Sequence, residues 1–81
     1  MSAPTVYTTS WCGYCQRLKS GLEREGIAFD EVDIDAQPWA GDIVTEVNRG
    51  NRMVPTVVFS DGSALTNPSV DQVSRKLAAL G

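Results

Sequence analysis

The only two cysteines of the chain stand three residues apart, in Trp11-Cys12-Gly13-Tyr14-Cys15. They follow a β-type run, Val6-Tyr7-Thr8-Thr9, and precede a helix-compatible segment. A strand that feeds a helix through Cys-x-x-Cys places the first sulfur at the helix N-terminus. Unpaired N–H groups and the positive dipole end favour an anion there. The anion that matters chemically is a thiolate, the reactive form of cysteine. Cys12 therefore reads as a nucleophile and Cys15 as its partner one turn later. Side chains three apart on a helix have Cβ atoms roughly 5–6 Å apart, and a disulfide needs roughly 3.5–4.5 Å. A helix start can supply that adjustment, so the bridge is reachable without repacking. Gly13 lets the backbone turn tightly and should leave Cys12 uncovered. The competing interpretation, two buried cysteines acting as small hydrophobes, does not explain their position and spacing.

The bulk numbers narrow the classes. A length of 81 residues predicts one domain, 1–81, with one core. The net charge of −3, from 7 basic and 10 acidic residues, argues against nucleic-acid binding. No apolar run approaches the roughly 20 residues of a membrane span. Met1-Ser2-Ala3-Pro4-Thr5 has neither the basic nor the apolar region of a signal peptide. A cytoplasmic, monomeric protein with no membrane association is expected. In that compartment Cys-x-x-Cys is more often catalytic or metal-binding than structural. The absence of histidine removes a Cys-His hydrolase. Two thiols cannot close a four-ligand zinc site within one chain, so no metal ligands are assigned; a metal bridging two copies stays open.

Turn signals and a switching hydrophobic period mark the elements. Residues 5–9 read as a strand. Cys15, Leu18 and Leu22 give a helix over 13–25, stopped by Gly26. Residues 29–34 alternate as a second strand, with the acidic run Glu31-Val32-Asp33-Ile34-Asp35 as its solvated face and end. Pro38 opens a second helix with an apolar stripe of Trp39, Ile43, Val44 and Val47, ended by Asn48-Arg49-Gly50. Residues 56–59 form a third strand, and Asp61-Gly62 is a two-residue hairpin signal returning the chain as strand 63–65. Asn67 is positioned to cap a last helix with Pro68 at its first position and Val70, Val73, Leu77 and Leu80 buried. Strands one and two should be parallel and the hairpin antiparallel. The order β-α-β-α-β-β-α gives an α/β fold: a four-stranded mixed sheet with helices on both faces, the thioredoxin-like layout.

Val54-Pro55 stands just before the third strand. Composition alone favours a trans bond; the fold assignment favours cis, with the Val54 backbone facing the sulfur. Ser10-Trp11-Cys12-Gly13-Tyr14-Cys15, Asn51-Arg52-Met53-Val54-Pro55-Thr56 and Asp61-Gly62, at these separations, resemble the glutaredoxin family along nearly the whole chain. Thr8 to Cys15, with Asn48-Arg49-Gly50-Asn51-Arg52 and Leu65-Thr66-Asn67-Pro68-Ser69, looks most like the mycoredoxins, glutaredoxin-like bacterial enzymes that use mycothiol in place of glutathione.

The resemblance implies a thiol–disulfide oxidoreductase acting on S-thiolated proteins. Cys12 would attack the mixed disulfide, and Cys15 would form the internal bridge. Tyr14 would flank the thiol site. Val54, before the family's cis-proline Pro55, would pair through its backbone with the cysteinyl part of the small thiol. Trp11 reads as a partly exposed recognition surface and Trp39 as packing. Thr9 stands where glutathione enzymes usually carry lysine, and Thr66 and Asn67 replace their Gly-Gly. Mycothiol, a cysteinyl pseudo-disaccharide, lacks the two free carboxylates of glutathione, so these replacements point to mycothiol as co-substrate. No bound cofactor is expected. A separate NADPH-dependent disulfide reductase would recycle the small-thiol disulfide. Arg17, Lys19 and Arg52 are candidates to aid the thiolate. Two alternatives stay open: a redoxin served by thioredoxin reductase that supplies a protein such as ribonucleotide reductase, and an iron–sulfur carrier.

Overall fold

Seven elements follow one another: β1 (Thr5–Thr8), α1 (Gly13–Arg24), β2 (Asp30–Asp33), α2 (Pro38–Val47), β3 (Thr56–Val58), β4 (Ala64–Thr66) and α3 (Val70–Leu80). The computed structural model describes residues 3–50 and 53–80. The strands form one sheet in the order β2-β1-β3-β4. β1 runs parallel to β2, while β1–β3 and β3–β4 are antiparallel. The mixed sheet and its βαβ start match the thioredoxin-like expectation.

The pleat of β1 explains the two layers of helices. Alternate residues of a strand face opposite sides of a sheet. Val6 joins Leu18, Leu22, Val57, Phe59 and Val73 in the core under α1 and α3. Its neighbour Tyr7 joins Ile34, Ala40 and Val44 in the core under α2. Val6, Leu22, Val44, Val57 and Val73 are fully buried. Both cores meet at the central strand, whose C-terminal end delivers the chain to Cys12.

α1 ends in a Schellman motif, which satisfies two of its last carbonyls. Gly26 occupies the left-handed position at φ +70, and its N–H and that of Ile27 donate to the Glu23 and Leu22 carbonyls. α2 ends the same way, but the left-handed residue is Arg49 (φ 55), followed by Gly50.

α1 and α3 approach each other at Gly21. A Cβ built there lies 2.4 Å from Val70 Cγ2. Gly21→Ala should therefore lower stability by about 1–3 kcal/mol through overpacking. A thermal melt should show a fall of several degrees, largely restored by Val70→Ala. Helix propensity alone predicts the opposite sign, since alanine is the better helix former by about 1 kcal/mol. A raised melting temperature would remove the close approach from the account.

Four local expectations are corrected. Trp39 is 54% exposed, not packed. The buried face of α2 is Ala40, Gly41 and Val44, and Trp39 lies off it, its Nε1 donating to Gln37 Oε1. Val47, at the end of the same expected stripe, is also exposed. The hairpin loop has three residues, not two: Phe59 pairs with Ser63 around Ser60, Asp61 and Gly62 (φ 88). This is a turn closed by a left-handed glycine, and it shifts β4 one residue onward. The N-cap of α3 is Ser69, not Asn67. Ser69 Oγ accepts the Gln72 N–H and Gln72 Oε1 accepts the Ser69 N–H, a capping box. Asn67 instead sits at φ 47, outside the helix.

Candidate active site

β1 ends two residues before a turn, and the turn presents Cys12 as the N-cap of α1. Cys12 has an extended backbone (φ −87, ψ 111). Its Sγ accepts the Cys15 backbone N–H at 3.2 Å. A side chain in that position replaces a missing helix hydrogen bond, and the dipole adds to the stabilisation of negative charge. The thiol also lies 3.8 Å from the Val54 carbonyl oxygen, to which it donates. These two contacts draw the sulfur inward. Cys12 is only 6% exposed, although nothing lies within 4 Å of a Cβ built on Gly13. The expected uncovered cysteine is therefore corrected: Cys12 is buried, held by its contacts with the Cys15 N–H and the Val54 carbonyl.

The partner strand supplies the opposite wall. Val54–Pro55 is cis, and Pro55 is fully buried. The Pro55 carbonyl accepts the Asn67 N–H at 2.7 Å. A side-chain chain fixes the preceding turn: Thr66 Oγ1 donates to Asn48 Oδ1, Asn48 Nδ2 donates to Thr56 Oγ1 at 2.9 Å, and Thr56 Oγ1 donates to the Met53 carbonyl at 2.7 Å. Thr66 therefore points toward the end of α2. Asn67 takes a different course and lines a groove of about 190 Å³ with Tyr14, Arg17, Leu18 and Ser69. The sequence treats Thr66 and Asn67 as one pair; the structure sends them to different neighbours. It also gives a positioning part to Asn48, which sequence reading treated only as a helix stop.

Cys15 is fully buried on the inner face of α1. Burial pushes its thiol up from 9.0 to about 12, reinforced by the Cys12 sulfur beside it and opposed by the Thr9 backbone N–H and the Lys19 charge. Cys15 is thus a thiol at neutral pH. A raised pKa in the folded state has a definite linkage sign. Between about pH 9, where the unfolded thiol ionises, and about pH 12, the folded chain binds more protons. Stability should fall through that window as pH rises. Cys15→Ser should make the fall shallower in denaturant titrations at alkaline pH, and an unchanged slope would contradict the shift.

The surrounding side chains divide clearly. Trp11 and Tyr14, on either side of Cys12 in the sequence, are 75% and 63% exposed. Trp11 Nε1 donates to Asp35 Oδ2 at 3.2 Å. The Arg17 guanidinium lies over the Tyr14 ring, 5.8 Å from its centre. Lys19 is paired with Glu31 at 2.6 Å. Arg17 thus lies on Tyr14, and Lys19 pairs with Glu31 while its charge reaches Cys15; Asn51 and Arg52 lie outside the described residues. The acidic run is less solvated than expected. Glu31 takes Lys19 and Thr8, Asp33 accepts the Asp35 and Ala36 N–H groups, and Asp35 holds Trp11. Thr9 is buried, and its hydroxyl has no hydrogen-bond partner among the described residues. Among those residues no group of three or more metal-ligating side chains occurs. Among the described residues no helix is long and apolar enough to cross a membrane.

Known proteins resemble this chain in sequence and fold. Residues 5–64 match the glutaredoxin family model. The chain is 48% identical over 80 residues to Mycoredoxin 1 of Corynebacterium glutamicum, covering 99% of both chains. It is 58% identical over 79 residues to a Mycobacterium tuberculosis protein provisionally named a glutaredoxin, covering 98% of this chain and 94% of that one. Among solved structures, NrdH-redoxin from Escherichia coli superposes with a TM-score of 0.77 at 26% identity, covering 91% of this chain and 93% of that one. That protein is described as glutaredoxin-like with a thioredoxin-like activity profile.

Proposed function

The chain belongs to the glutaredoxin family, and from that premise we propose that it reduces mixed disulfides between proteins and mycothiol, with Cys12 as the nucleophile. The single observation that carries the nucleophile assignment is Cys12 Sγ at the N-cap of α1, accepting the Cys15 N–H. The Cys12 thiolate attacks the mycothiol sulfur of the S-thiolated protein. A Cys12–mycothiol disulfide forms, and the protein leaves as its thiolate. A second mycothiol thiolate then attacks the mycothiol sulfur on Cys12. This yields mycothiol disulfide and regenerates Cys12. A separate NADPH-dependent reductase supplies the two electrons that return mycothiol disulfide to the thiol. Cys15 offers a branch: it attacks Cys12, releases the small thiol and closes the internal bridge. Exchange of this kind needs only a thiolate, a disulfide and a leaving thiolate, with no bound cofactor.

The Val54 carbonyl, Pro55 and the grooves beside Trp11 and Tyr14 supply the small-thiol site in this reading. Thr66 contributes by holding Asn48 and, through it, the turn before Pro55. The protein acts in the cytoplasm as a one-domain monomer spanning residues 1–81. Support for mycothiol over glutathione comes from the mycoredoxin relative and from the absence of a cation at position 9. The catalytic efficiency for a mycothiol mixed disulfide should exceed that for the glutathione one. The preference should survive high salt, because neutral hydrogen bonds are screened less than exposed ion pairs. A parent protein that prefers glutathione would refute the mycothiol assignment and leave the glutaredoxin one standing.

A second reading rests on the NrdH-redoxin likeness. It is a redoxin reduced by thioredoxin reductase. Coupled assays with each reducing system separate the two: fast turnover with thioredoxin reductase, without mycothiol, favours the redoxin.

A further inference from the structure

Cys15 must lose its proton to close the internal bridge, and its burial on the inner face of α1 disfavours that. α1, β1 and β2 together supply a group that opposes the burial. Lys19 follows Cys15 by one helical turn, so the two side chains are neighbours on α1. Glu31 of β2 pairs with Val6 of β1, and strand alternation puts Val6, Thr8 and Glu31 on the sheet face that α1 covers. Lys19 Nζ lies 2.6 Å from Glu31 Oε2, and the same oxygen accepts the Thr8 hydroxyl at 3.1 Å. The Lys19 side chain is 15% exposed, against 42% for Glu31. Thr8 is buried, and the next residue, Thr9, donates its backbone N–H to the Cys15 sulfur. The outer end of this clasp meets water, while Lys19 stands beside the buried thiol.

Among the described residues two charged groups act on Cys15, and they oppose each other. A Cys12 thiolate pushes the Cys15 thiol up, and the Lys19 ammonium pulls it down. This balance changes during turnover. Once Cys12 is bonded to a small thiol, its sulfur carries no charge and no longer opposes ionisation of its neighbour. Lys19 is then the charge left beside Cys15, at the moment when Cys15 becomes the attacking group. Glu31 works against it, because a carboxylate on the ammonium offsets part of its field. Water screens the half-exposed Glu31 more than the enclosed Lys19, so the offset is incomplete.

We propose that Lys19, held by Glu31, promotes closure of the Cys12–Cys15 bridge by stabilising the Cys15 thiolate, and that Glu31 restrains it. This rests on the Cys15 branch described above and not on the identity of the small thiol. In that step the Cys15 sulfur attacks the Cys12 sulfur. The Cys12–Cys15 bond forms and the bond from Cys12 to the small thiol breaks. The small thiol leaves with the electron pair and takes up the proton that Cys15 gave up. Lys19 and Glu31 thereby set how often the chain leaves the single-cysteine route for the bridged one.

Stopped-flow mixing of the whole protein with a nitrobenzoate disulfide reads both steps. Attack by Cys12 releases one coloured thiolate at a rate that depends on reagent concentration. Closure by Cys15 releases a second at a rate that does not, and Cys15→Ser should give the first release alone. In the parent, closure should accelerate with pH through the neutral and mildly alkaline range, as the Cys15 thiolate fraction grows. Lys19→Met should slow closure by about threefold to tenfold and displace its pH profile upward, the lost thiolate being partly offset by higher nucleophilicity. Lys19→Arg, which keeps the charge, should restore most of the rate. Glu31→Gln keeps an acceptor for Thr8 and should speed closure by about twofold to threefold. Both Lys19→Met and Glu31→Gln break the ion pair, so opposite signs separate a charge effect from a mechanical one. If both slowed closure, the pair would be a structural clasp and the proposal would fail. It would fail as well if closure ignored Lys19→Met, or if only the Cys12 release responded. A parent that releases a single thiolate would overturn the Cys15 branch itself.

Discussion

Cys12→Ser is expected to reduce thiol–disulfide exchange to the uncatalysed rate with every disulfide tested. A serine hydroxyl at the helix N-cap still accepts the Cys15 N–H, so the fold should persist and its melting temperature should change little. What disappears is the sulfur. The chain contains only one other cysteine. Cys15 is fully buried, with its thiol pushed up to about 12, so at neutral pH it cannot replace a nucleophile. The assay is initial-rate reduction of a small mixed disulfide, with circular dichroism to verify folding. Residual turnover near that of the parent would move the chemistry away from the N-cap and remove the basis of the account.

The second large effect separates the two routes. Cys15→Ser should retain de-thiolation of small mixed disulfides, because the second small thiol resolves Cys12 without help from Cys15. It should lose any reduction that requires the internal bridge, such as that of a protein disulfide. Rates with both substrate types, measured on one preparation, give the comparison. If the variant loses both activities, the single-cysteine route is wrong. If it keeps both, the bridge has no part in turnover.

The legible parts of this protein are those encoded over a few residues. Cys12 and Cys15 sit three apart behind a strand, and that spacing alone sets the N-cap and the buried partner. Leu18, Leu22 and Gly26 fix α1 and its end, because helix periodicity and a left-handed stop are local properties. The less legible parts depend on what lies opposite. Trp39 looks like the head of an apolar stripe, but the face of α2 that meets the sheet is made by Ala40, Gly41 and Val44, whose small members allow close approach. By residue type and position Asn67 suits a helix cap. Ser69 takes the role because Gln72 completes the box, while the Asn67 N–H is drawn to Pro55. Asn48 and Asp35 hold parts of the site through partners 8 and 24 residues away in sequence, and no spacing rule reveals such pairs. Thr9 stands where the resemblance to glutathione enzymes leads one to expect lysine, and only the fold shows that Thr9 is buried.

The central claim is that Cys12 attacks the small-thiol sulfur rather than the protein sulfur of a mixed disulfide. Intact-mass spectrometry of the Cys15→Ser protein, after one turnover with a mycothiolated protein and no free mycothiol, tests it directly. The account predicts a protein heavier by one mycothiol, attached at Cys12, and a substrate released as its free thiol. A covalent complex between the two proteins, or no adduct at all, would contradict it.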